Sequence, residues 1–347
     1  MSGGVDSSVA AALLTQQGYR VIGMMLRLWS EPGREDSNRC CTPDAMALAR
    51  RVAAHLGIPF YAVDARTTFR ETIVQRFLDG YAQGITPNPC LYCNRHIRFG
   101  LLLQRALDLG ADFLATGHYV QLTRAEDGGV TLRRGVDPAK DQSYVLGLVQ
   151  PQKLARALFP VGGYPKAEVR QLARDFRLPV AERADSQDLC FLAGDDYRNF
   201  LQRNAPEMLT PGKIINRAGQ VIGEHSGLPN YTIGQRKGLN VPSSVPLYVL
   251  GKNPVENALI VGTADELGTR SLRAGDASWV AGQPPAPVFR AGVQIRYKAR
   301  PIPATVQILS ETSFKIEFDE PLRDITPGQA AVCYDGEVCL GGGVIEV

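Results

Sequence analysis

Apolar and polar positions alternate with two different periods in the first half of the chain. Three stretches with apolar residues at helical spacing predict helices over residues 9–17, 43–57 and 67–80. Three apolar runs predict buried strands over residues 19–29, over residues 58–65 and up to Thr116. Strands that alternate with helices of this length indicate an α/β domain with a doubly wound parallel sheet. Because such sheets bind ligands at the carboxyl ends of their strands, a site is expected in the loops that follow them.

After about residue 195 this alternation gives way to short β-like runs between glycine turns. From about Ala277 onward, polar and apolar residues alternate with a period of two, and no run has the helical period. This pattern predicts a small antiparallel barrel or sandwich in the C-terminal part. The 347 residues are enough for two or three domains.

Composition and charge narrow the class of protein. Hydrophobic residues make up 44% and charged residues 21% of the chain, which is ordinary for a soluble globular protein. The formal net charge of +3 is too small to indicate a nucleic-acid partner by itself. We expect no signal peptide and no membrane span, because the first apolar run is short. The seven cysteines are therefore expected to be cytoplasmic thiols, for which metal or redox chemistry is commoner than a structural disulfide.

Residues 1–8 read MSGGVDSS and precede a predicted helix. Gly3 and Gly4 would let the backbone approach a phosphate, and the helix would present its positive N-terminal end to the same anion. Asp6 could hold a magnesium ion. The alternative is a flexible terminus with an ordinary helix cap. The sequence contains no β-strand ahead of this cradle, so we expect it to be poorly anchored and to bind a nucleotide less tightly than a chain extended upstream.

Three cysteines stand where chemistry is expected. Cys90 and Cys93 form a C-x-x-C pair ahead of a helix predicted from Asn94, a spacing that suits one metal ion or one redox pair. The alternative is a structural zinc knuckle, although a closed zinc site needs four ligands and there is no second C-x-x-C pair. For Cys190 the alternative is a small buried apolar residue. Two adjacent cysteines are assigned no role beyond a loop: Cys40 and Cys41.

Polar residues also follow the third strand and a later turn. Gly117 and His118 come directly after the strand, where ligands bind in this architecture, although His118 could equally be a core partner. Lys140, Asp141 and Gln142 stand together in the segment KDQSY, which could also be a solvated turn. The segments TIGQRKGL and IRYKARP place basic residues beside Tyr or Gly, as phosphate-tracking surfaces and ordinary charged surfaces both do.

These motifs occur together, in one order, in a known family. The order SGGVDSS, TPNPCLYCN, ATGHYV, KDQSY, DSQDLCF, PGKI, GQRKGL, RYK and TPGQAAVCYDGEVCLGGG resembles the tRNA-specific 2-thiouridylases. These are PP-loop ATP pyrophosphatases that thiolate the wobble uridine of certain tRNAs. The resemblance covers almost the whole chain. It implies a PP-loop domain of the adenine nucleotide alpha-hydrolase type over residues 1–195, a small central α+β domain over 196–275 and a C-terminal antiparallel β-barrel over 276–347.

The resemblance also implies the chemistry. ATP, with Mg²⁺, would adenylate the C2 oxygen of the uridine, and a persulfide on Cys190 would supply the sulfur. Cys93 would be the partner nucleophile, either releasing the sulfur as a Cys93–Cys190 disulfide forms or attacking the activated base. The residues at the nucleotide would be Met1, Ser2, Gly3, Gly4, Val5, Asp6, Ser7, Ser8, Leu26 and Gly117. The residues at the tRNA, of which the first three would face the target base, would be Asn88, Pro89, Cys90, His118, Lys140, Asp141, Gln142, Arg296, Tyr297 and Gln329.

Partners and one departure complete the resemblance. The tRNAs would be those for Lys, Glu and Gln, and the sulfur would come from a cysteine desulfurase or a sulfur-carrier protein. Many family members have Asp where this chain has Cys90, so a carboxylate role there is not carried over. The extra thiol allows a second route, in which Cys90, Cys93 and Cys190 ligate three irons of a [4Fe-4S] cluster. Rival functions are another PP-loop enzyme, such as an amidating ligase or a lysidine synthase, and a zinc-stabilised RNA-binding protein that consumes no ATP.

Overall fold

The computed structural model describes residues 1–34, 42–184, 189–192 and 194–346. Cys40, Cys41 and the residues 185–188 of the DSQDLCF motif lie outside the described residues. Two π-helical stretches, Arg70–Val74 and Cys93–Leu102, each join a pair of α-helices into one longer helix. The α-helices of the described residues are α1 Val5–Gln16, α2 Pro43–His55, α3 Arg66–Phe69, α4 Gln75–Ala82, α5 Pro89–Tyr92, α6 Leu103–Asp108, α7 Ser143–Leu146, α8 Pro151–Leu154, α9 Lys166–Asp175 and α10 Tyr197–Asn204.

The predicted helices are present, with ends set by their caps. Gly4, in an extended conformation, is the N-cap of α1, so this helix begins before residue 9. In α2, Thr42 caps the backbone N–H of Ala45 and Pro43 takes the first turn, which is the position where proline is tolerated best. The third predicted helix corresponds to α3 and α4, which the first π-helical stretch connects. No helix in the described parts of the chain is long and apolar enough to cross a membrane.

The helix predicted from Asn94 begins five residues earlier, at Pro89. The Asn88 side chain accepts a hydrogen bond from the backbone N–H of Cys90, and proline at the first position favours a helix start. The consequence concerns the C-x-x-C pair. Cys90, rather than Cys93, lies in the first turn of the helix, and Cys93 opens the π-helical stretch that follows it.

The strands divide into three groups. Those of the N-terminal part are β1 Gly23–Arg27, β2 Phe60–Asp64, β3 Leu114–Ala115, β4 Val120–Arg124, β5 Val130–Arg134 and β6 Ala157–Leu158. Those of the central part are β7 Gly212–Asn216, β8 Val221–His225, β9 Tyr248–Asn253 and β10 Ala258–Gly262. Those of the C-terminal part are β11 Thr269–Trp279, β12 Val288–Gln294, β13 Ile302–Ser310, β14 Ser313–Leu322, β15 Ala330–Asp335 and β16 Val338–Ile345.

The parallel strands of the N-terminal part form two short ladders. β1 pairs with β2, and β3 pairs with β6. In the described residues β1 and β3 do not pair with each other, and residues of both line a cavity of about 930 Å³. The sequence prediction that β2 is buried is wrong: its central residues Tyr61 and Ala62 are exposed, whereas three residues of its partner strand β1 are buried.

The rest of the chain is β-rich, as its period-two alternation predicts. β7 to β10 form a mixed four-stranded sheet with its own small core. The six strands β11 to β16 close into an antiparallel barrel through the pairing of β11 with β16. β11 starts at Thr269 and runs across the domain boundary expected at residue 276. The hairpin β4–β5 adds to this sheet through β16, so the N-terminal part and the barrel share backbone hydrogen bonds.

Candidate active site

Residues 1–8, here called the phosphate loop, turn sharply into α1. The backbone N–H of Ser2 donates to Ser7 Oγ at 3.1 Å, and Ser8 Oγ donates to the carbonyl of Gly4 at 2.8 Å. Gly3 has a φ of +70°, and a Cβ there would lie 2.6 Å from the carbonyl oxygen of Ala45. The loop therefore needs glycine at residue 3 both for its backbone conformation and for its close approach to α2.

Two later segments hold this loop. Gly117, directly after β3, packs so closely that a Cβ would lie 2.7 Å from Asp6 C and from Ser7 N. The Arg183 guanidinium donates to the carbonyl of Gly3 at 2.6 Å. The loop is thus held by close packing at Gly117 and by a hydrogen bond from Arg183, whereas a contact of Gly117 with the nucleotide stays a prediction.

The phosphate loop opens onto the cavity between β1 and β3. Its volume of about 930 Å³ is in the upper range of small-molecule sites. Of the residues expected at the nucleotide, those that line it are Met1, Ser2, Ser7, Leu26 and Gly117. Cys93 and Arg98, from the π-helical stretch, line the same cavity. Val5 and Ser8 face the protein interior and are buried. One cavity therefore joins the phosphate loop to a thiol.

The Asp6 carboxylate, expected to hold magnesium, makes two charge-assisted contacts within the protein. Lys166 Nζ lies 2.6 Å from Asp6 Oδ1, and the Tyr119 hydroxyl donates to the same oxygen at 2.7 Å. Sequence reasoning did not assign either residue to the site. Tyr119 and Lys166 are 113 and 160 positions away from Asp6 in the chain, so no local sequence pattern connects either residue to it.

The two predicted catalytic cysteines pack against one apolar cluster. Cys93 and Cys190, which opens the short 3₁₀ helix Cys190–Leu192, both contact a core that includes Phe69, Phe77 and Phe191. Each is partly exposed, so the interpretation of Cys190 as a fully buried apolar residue does not hold.

The remaining described cysteines differ in accessibility. Cys90 is exposed, whereas Cys333 and Cys339 are buried in and beside the barrel. Burial raises the pKa of Cys339 to about 12 and raises the pKa of Cys333 further. These two thiols are therefore inert at neutral pH.

The structure tests whether the cysteines are gathered as metal ligands. Among the residues that the structure describes, no group of three or more His, Cys, Asp or Glu side chains is arranged to hold a metal ion. Cys90, Cys93 and Cys190 thus do not form a preassembled set for an iron–sulfur cluster, and Cys90 and Cys93 do not form a zinc knuckle with other described residues.

Several residues expected at the tRNA meet on one face. The Asn88 amide donates to Gln329 Oε1 at 3.3 Å, and Gln329 Nε2 donates to the carbonyl of Thr86 at 2.9 Å. The Tyr297 ring packs in a tilted arrangement against the ring of Tyr144, with the ring centroids 6.3 Å apart. Burial, followed by the charges of Asp141 and Cys90, raises the pKa of Tyr297.

Three other predicted tRNA residues have structural partners. Arg296 forms an ion pair with Asp324. Gln142 Oε1 accepts from the backbone N–H of Tyr119 at 3.0 Å, and the backbone N–H of Gln142 donates back to the Tyr119 carbonyl. Asp141 accepts a hydrogen bond from Arg134 at 2.8 Å. The segment 140–142 is therefore fastened to the strand end that carries His118.

His118 packs in the interior of the protein. It is buried, its Nδ1 lies 2.8 Å from Thr116 Oγ1, and its ring packs against Phe99 and Phe159. Burial, with a smaller contribution from Arg98, lowers the pKa of His118 to about 3. The imidazole is therefore neutral at physiological pH, and its contact with tRNA stays a prediction.

Comparisons with known proteins agree with this architecture. Family models match residues 1–194 (tRNA methyl transferase HUP domain), 198–263 (tRNA methyl transferase PRC-barrel domain) and 269–345 (aminomethyltransferase beta-barrel domain). The tRNA-specific 2-thiouridylase MnmA of Chloroflexus aurantiacus is 48% identical over 99% of this chain and 96% of that protein. The corresponding protein of Geobacter metallireducens is 46% identical over 100% of this chain and 95% of its own.

One solved structure shows only a distant likeness to this chain. The U34-tRNA thiolase NcsA from Methanococcus maripaludis, solved with its [4Fe-4S] cluster, is 23% identical, with a TM-score of 0.34 over 59% of this chain and 65% of its own. So distant a likeness carries no argument about chemistry. The full-length relatives and the family model that covers more than half of the chain show that this chain belongs to the family of tRNA-specific 2-thiouridylases, which are tRNA sulfurtransferases.

Proposed function

We propose that this chain replaces the C2 oxygen of the wobble uridine of tRNA with sulfur, using ATP to activate the base. The observation that carries the proposal is the shared cavity, which phosphate-loop residues and Cys93 line together. An amidating ligase or a lysidine synthase attacks with an amine and needs no thiol beside its nucleotide. An RNA-binding protein that consumes no ATP needs neither feature.

The reaction begins with adenylation. The C2 oxygen of the uridine attacks the α-phosphorus of ATP and pyrophosphate leaves, so that the oxygen becomes part of a good leaving group. The backbone N–H groups of the phosphate loop and the N-terminal end of α1 stabilise the phosphates. Mg²⁺ would neutralise phosphate charge, and we expect it to arrive on ATP because protein sites commonly bind it through substrate phosphates.

Sulfur transfer then uses both cysteines. The terminal sulfur of a Cys190 persulfide attacks C2, and AMP leaves. The Cys93 thiolate attacks Cys190 Sγ, the bond between that sulfur and the transferred sulfur breaks, and the electron pair stays on the 2-thiouridine. The cysteines are left as a Cys93–Cys190 disulfide, which an external dithiol reduces. Packing of both cysteines on one apolar cluster, with each partly exposed, supports this pairing.

The tRNA would lie across the face where residues 86–90 meet the barrel. Asn88, Pro89 and Cys90 would lie against the target base, and Lys140, Tyr297 and Gln329 would support the surrounding nucleotides. We expect substrates among the tRNAs for Lys, Glu and Gln, sulfur delivery by a cysteine desulfurase or a carrier protein, and action in the cytoplasm.

The test is thiolation of a tRNA transcript by the full chain with ATP, a cysteine desulfurase and L-cysteine. The product, 2-thiouridine, is seen as a retarded band on a mercury-containing gel. We expect product to depend on ATP, and the variants Cys93→Ser and Cys190→Ser to lose at least about a hundredfold in rate because each removes a reacting sulfur. Cys339→Ser is the matched control, because Cys339 is buried and does not line the cavity. Product without ATP, or an active Cys190→Ser variant, would contradict the proposal.

Cys90→Ala separates the persulfide route from the cluster route. The persulfide route uses only Cys93 and Cys190, so Cys90→Ala should keep most of the activity. A loss equal to that of Cys93→Ser, together with iron and labile sulfide in protein purified without oxygen, would instead show that the three thiols act as cluster ligands.

A further inference from the structure

Lys166, 160 residues beyond Asp6 in the chain, makes a direct ion pair with the phosphate loop. The ammonium lies 2.6 Å from Asp6 Oδ1, and the side chains of Lys166 and Asp6 are 13% and 33% exposed. A charge-assisted contact of this length in a partly buried place is stronger than an exposed surface pair.

The position of Lys166 is itself constrained. Its backbone N–H donates to Asp137 Oδ2 at 3.0 Å, which fixes the start of α9. The buried residues Val169 and Ala173 then pack α9 against Val9 and neighbouring residues of α1. Lys166 thus lies at the start of a helix, α9, that packs against α1, the helix that follows the phosphate loop.

The ion pair with Lys166 offsets the negative charge that Asp6 brings to the phosphate loop. A carboxylate in the first turn of α1 is favourable for the helix dipole, but it repels an anion bound at the same helix end. Lys166 neutralises that carboxylate, and the Tyr119 hydroxyl holds the same oxygen from another direction at 2.7 Å. A positive side chain at the start of α9 costs that helix stability through its dipole, so helix stability does not explain the lysine.

We propose that Lys166 and Tyr119 are positioning residues of the nucleotide site, which neutralise and orient Asp6 so that the phosphate loop accepts the polyphosphate of ATP. The inference rests on the proposed binding of ATP at this loop. In this role Asp6 is a structural carboxylate that Lys166 and Tyr119 hold in place. Magnesium is held by the phosphates of the nucleotide.

The experiment measures binding of a non-hydrolysable ATP analogue with Mg²⁺, and of tRNA, to the full chain. Lys166→Met should weaken the analogue at least tenfold and leave tRNA affinity within about twofold. Lys166→Arg, which keeps the charge, should stay close to the parent chain. Lys315→Met, which removes a partly exposed lysine of the barrel that pairs with Glu317, is the control for loss of one positive charge.

The double variant Lys166→Met, Asp6→Asn gives the sharpest test. If Lys166 acts by neutralising Asp6, removing the carboxylate should restore part of the lost nucleotide affinity. The inference would be overturned if Lys166→Met bound the analogue as tightly as the parent chain. It would also be overturned if the double variant bound more weakly than Lys166→Met alone, because that result would show that Asp6 contacts the nucleotide or its metal directly.

A further variant covers the case in which Lys166→Met does not fold. Tyr119→Phe keeps the ring packing and removes one hydrogen bond to Asp6. It should weaken binding of the analogue about threefold with an unchanged thermal midpoint. Parent-like nucleotide affinity in Tyr119→Phe would then overturn the inference. The proposed function fails separately. A parent chain that binds the analogue but makes no 2-thiouridine would refute thiolation. It would not affect the inference that Lys166 and Tyr119 position Asp6.

Discussion

A single methyl group added at Gly117 should disturb the phosphate loop, because this glycine packs against the backbone of the loop. A Cβ built on Gly117 lies 2.7 Å from Asp6 C and Ser7 N and 3.0 Å from Asp6 Cβ. Two of these three atoms belong to the backbone of the loop, so the contact cannot be relieved by a rotamer change. Overpacking of this kind costs about 1–3 kcal/mol.

That cost can be expressed as nucleotide affinity. If the loop moves to relieve the contact, the dissociation constant of ATP should rise by about 5- to 140-fold, since 1.4 kcal/mol corresponds to a factor of ten. The assay is equilibrium binding of a non-hydrolysable ATP analogue to Gly117→Ala, with thermal unfolding measured in parallel.

Gly163→Ala is the matched control. A Cβ on Gly163 meets no atom within 4 Å, so this variant should bind the analogue within about twofold of the parent chain. Gly117→Ala that binds as tightly as Gly163→Ala, with unchanged thermal stability, would show that the close packing at Gly117 does not position the phosphate loop.

Three further predictions concern other parts of the molecule. Iodoacetamide applied to the native protein should label Cys90, Cys93 and Cys190 well before Cys333 and Cys339, because the last two are buried; peptide mass spectrometry measures the order, and early labelling of Cys333 would contradict it. The pKa of His118 falls from 6.5 to about 3 on folding. Between these two pH values the unfolded chain therefore binds one more proton than the folded chain. The free energy of unfolding should fall by up to about 1.4 kcal/mol for each pH unit below pH 6.5. Urea unfolding at pH 7 and pH 5 measures this, and His118→Asn should show a weaker dependence on pH; an equal dependence would contradict it. A double-mutant cycle with Asn88→Ala and Gln329→Ala should give a coupling of about 0.5–1.5 kcal/mol in unfolding experiments, whereas strict additivity would show that the hydrogen bond between these side chains contributes nothing.

The sequence was sufficient where structure follows from local rules. The helical periods, the proline at residue 43 and the period-two alternation beyond residue 277 predict α2 and the barrel strands, because caps and burial patterns act over a few residues. The exposure of β2 could not be predicted, since an apolar run does not show whether other elements cover the strand in the folded chain. The pairing of β5 with β16 is likewise set by long-range packing.

The site shows the same division. Local sequence identifies the phosphate loop and the C-x-x-C pair. The side-chain contacts that hold these segments in place come from distant residues: Gln329 contacts Asn88, and Lys166 contacts Asp6. No spacing rule connects residues separated by 241 or 160 positions. Lys166 in particular resembles any surface lysine until α9 is seen packed on α1.

The same long-range contacts change the expectation that the phosphate loop is poorly anchored. In the described residues β1 and β3 leave a cavity between them rather than a paired strand, so the loop receives no support from that direction. It is held instead by Gly117 from one side, by the Arg183 guanidinium on the Gly3 carbonyl, and by Lys166 on Asp6. These contacts fix the loop through side chains and close backbone packing, which single substitutions can remove one at a time. The affinity of the loop for a nucleotide should therefore depend on these distant residues as much as on the SGGVDSS motif itself.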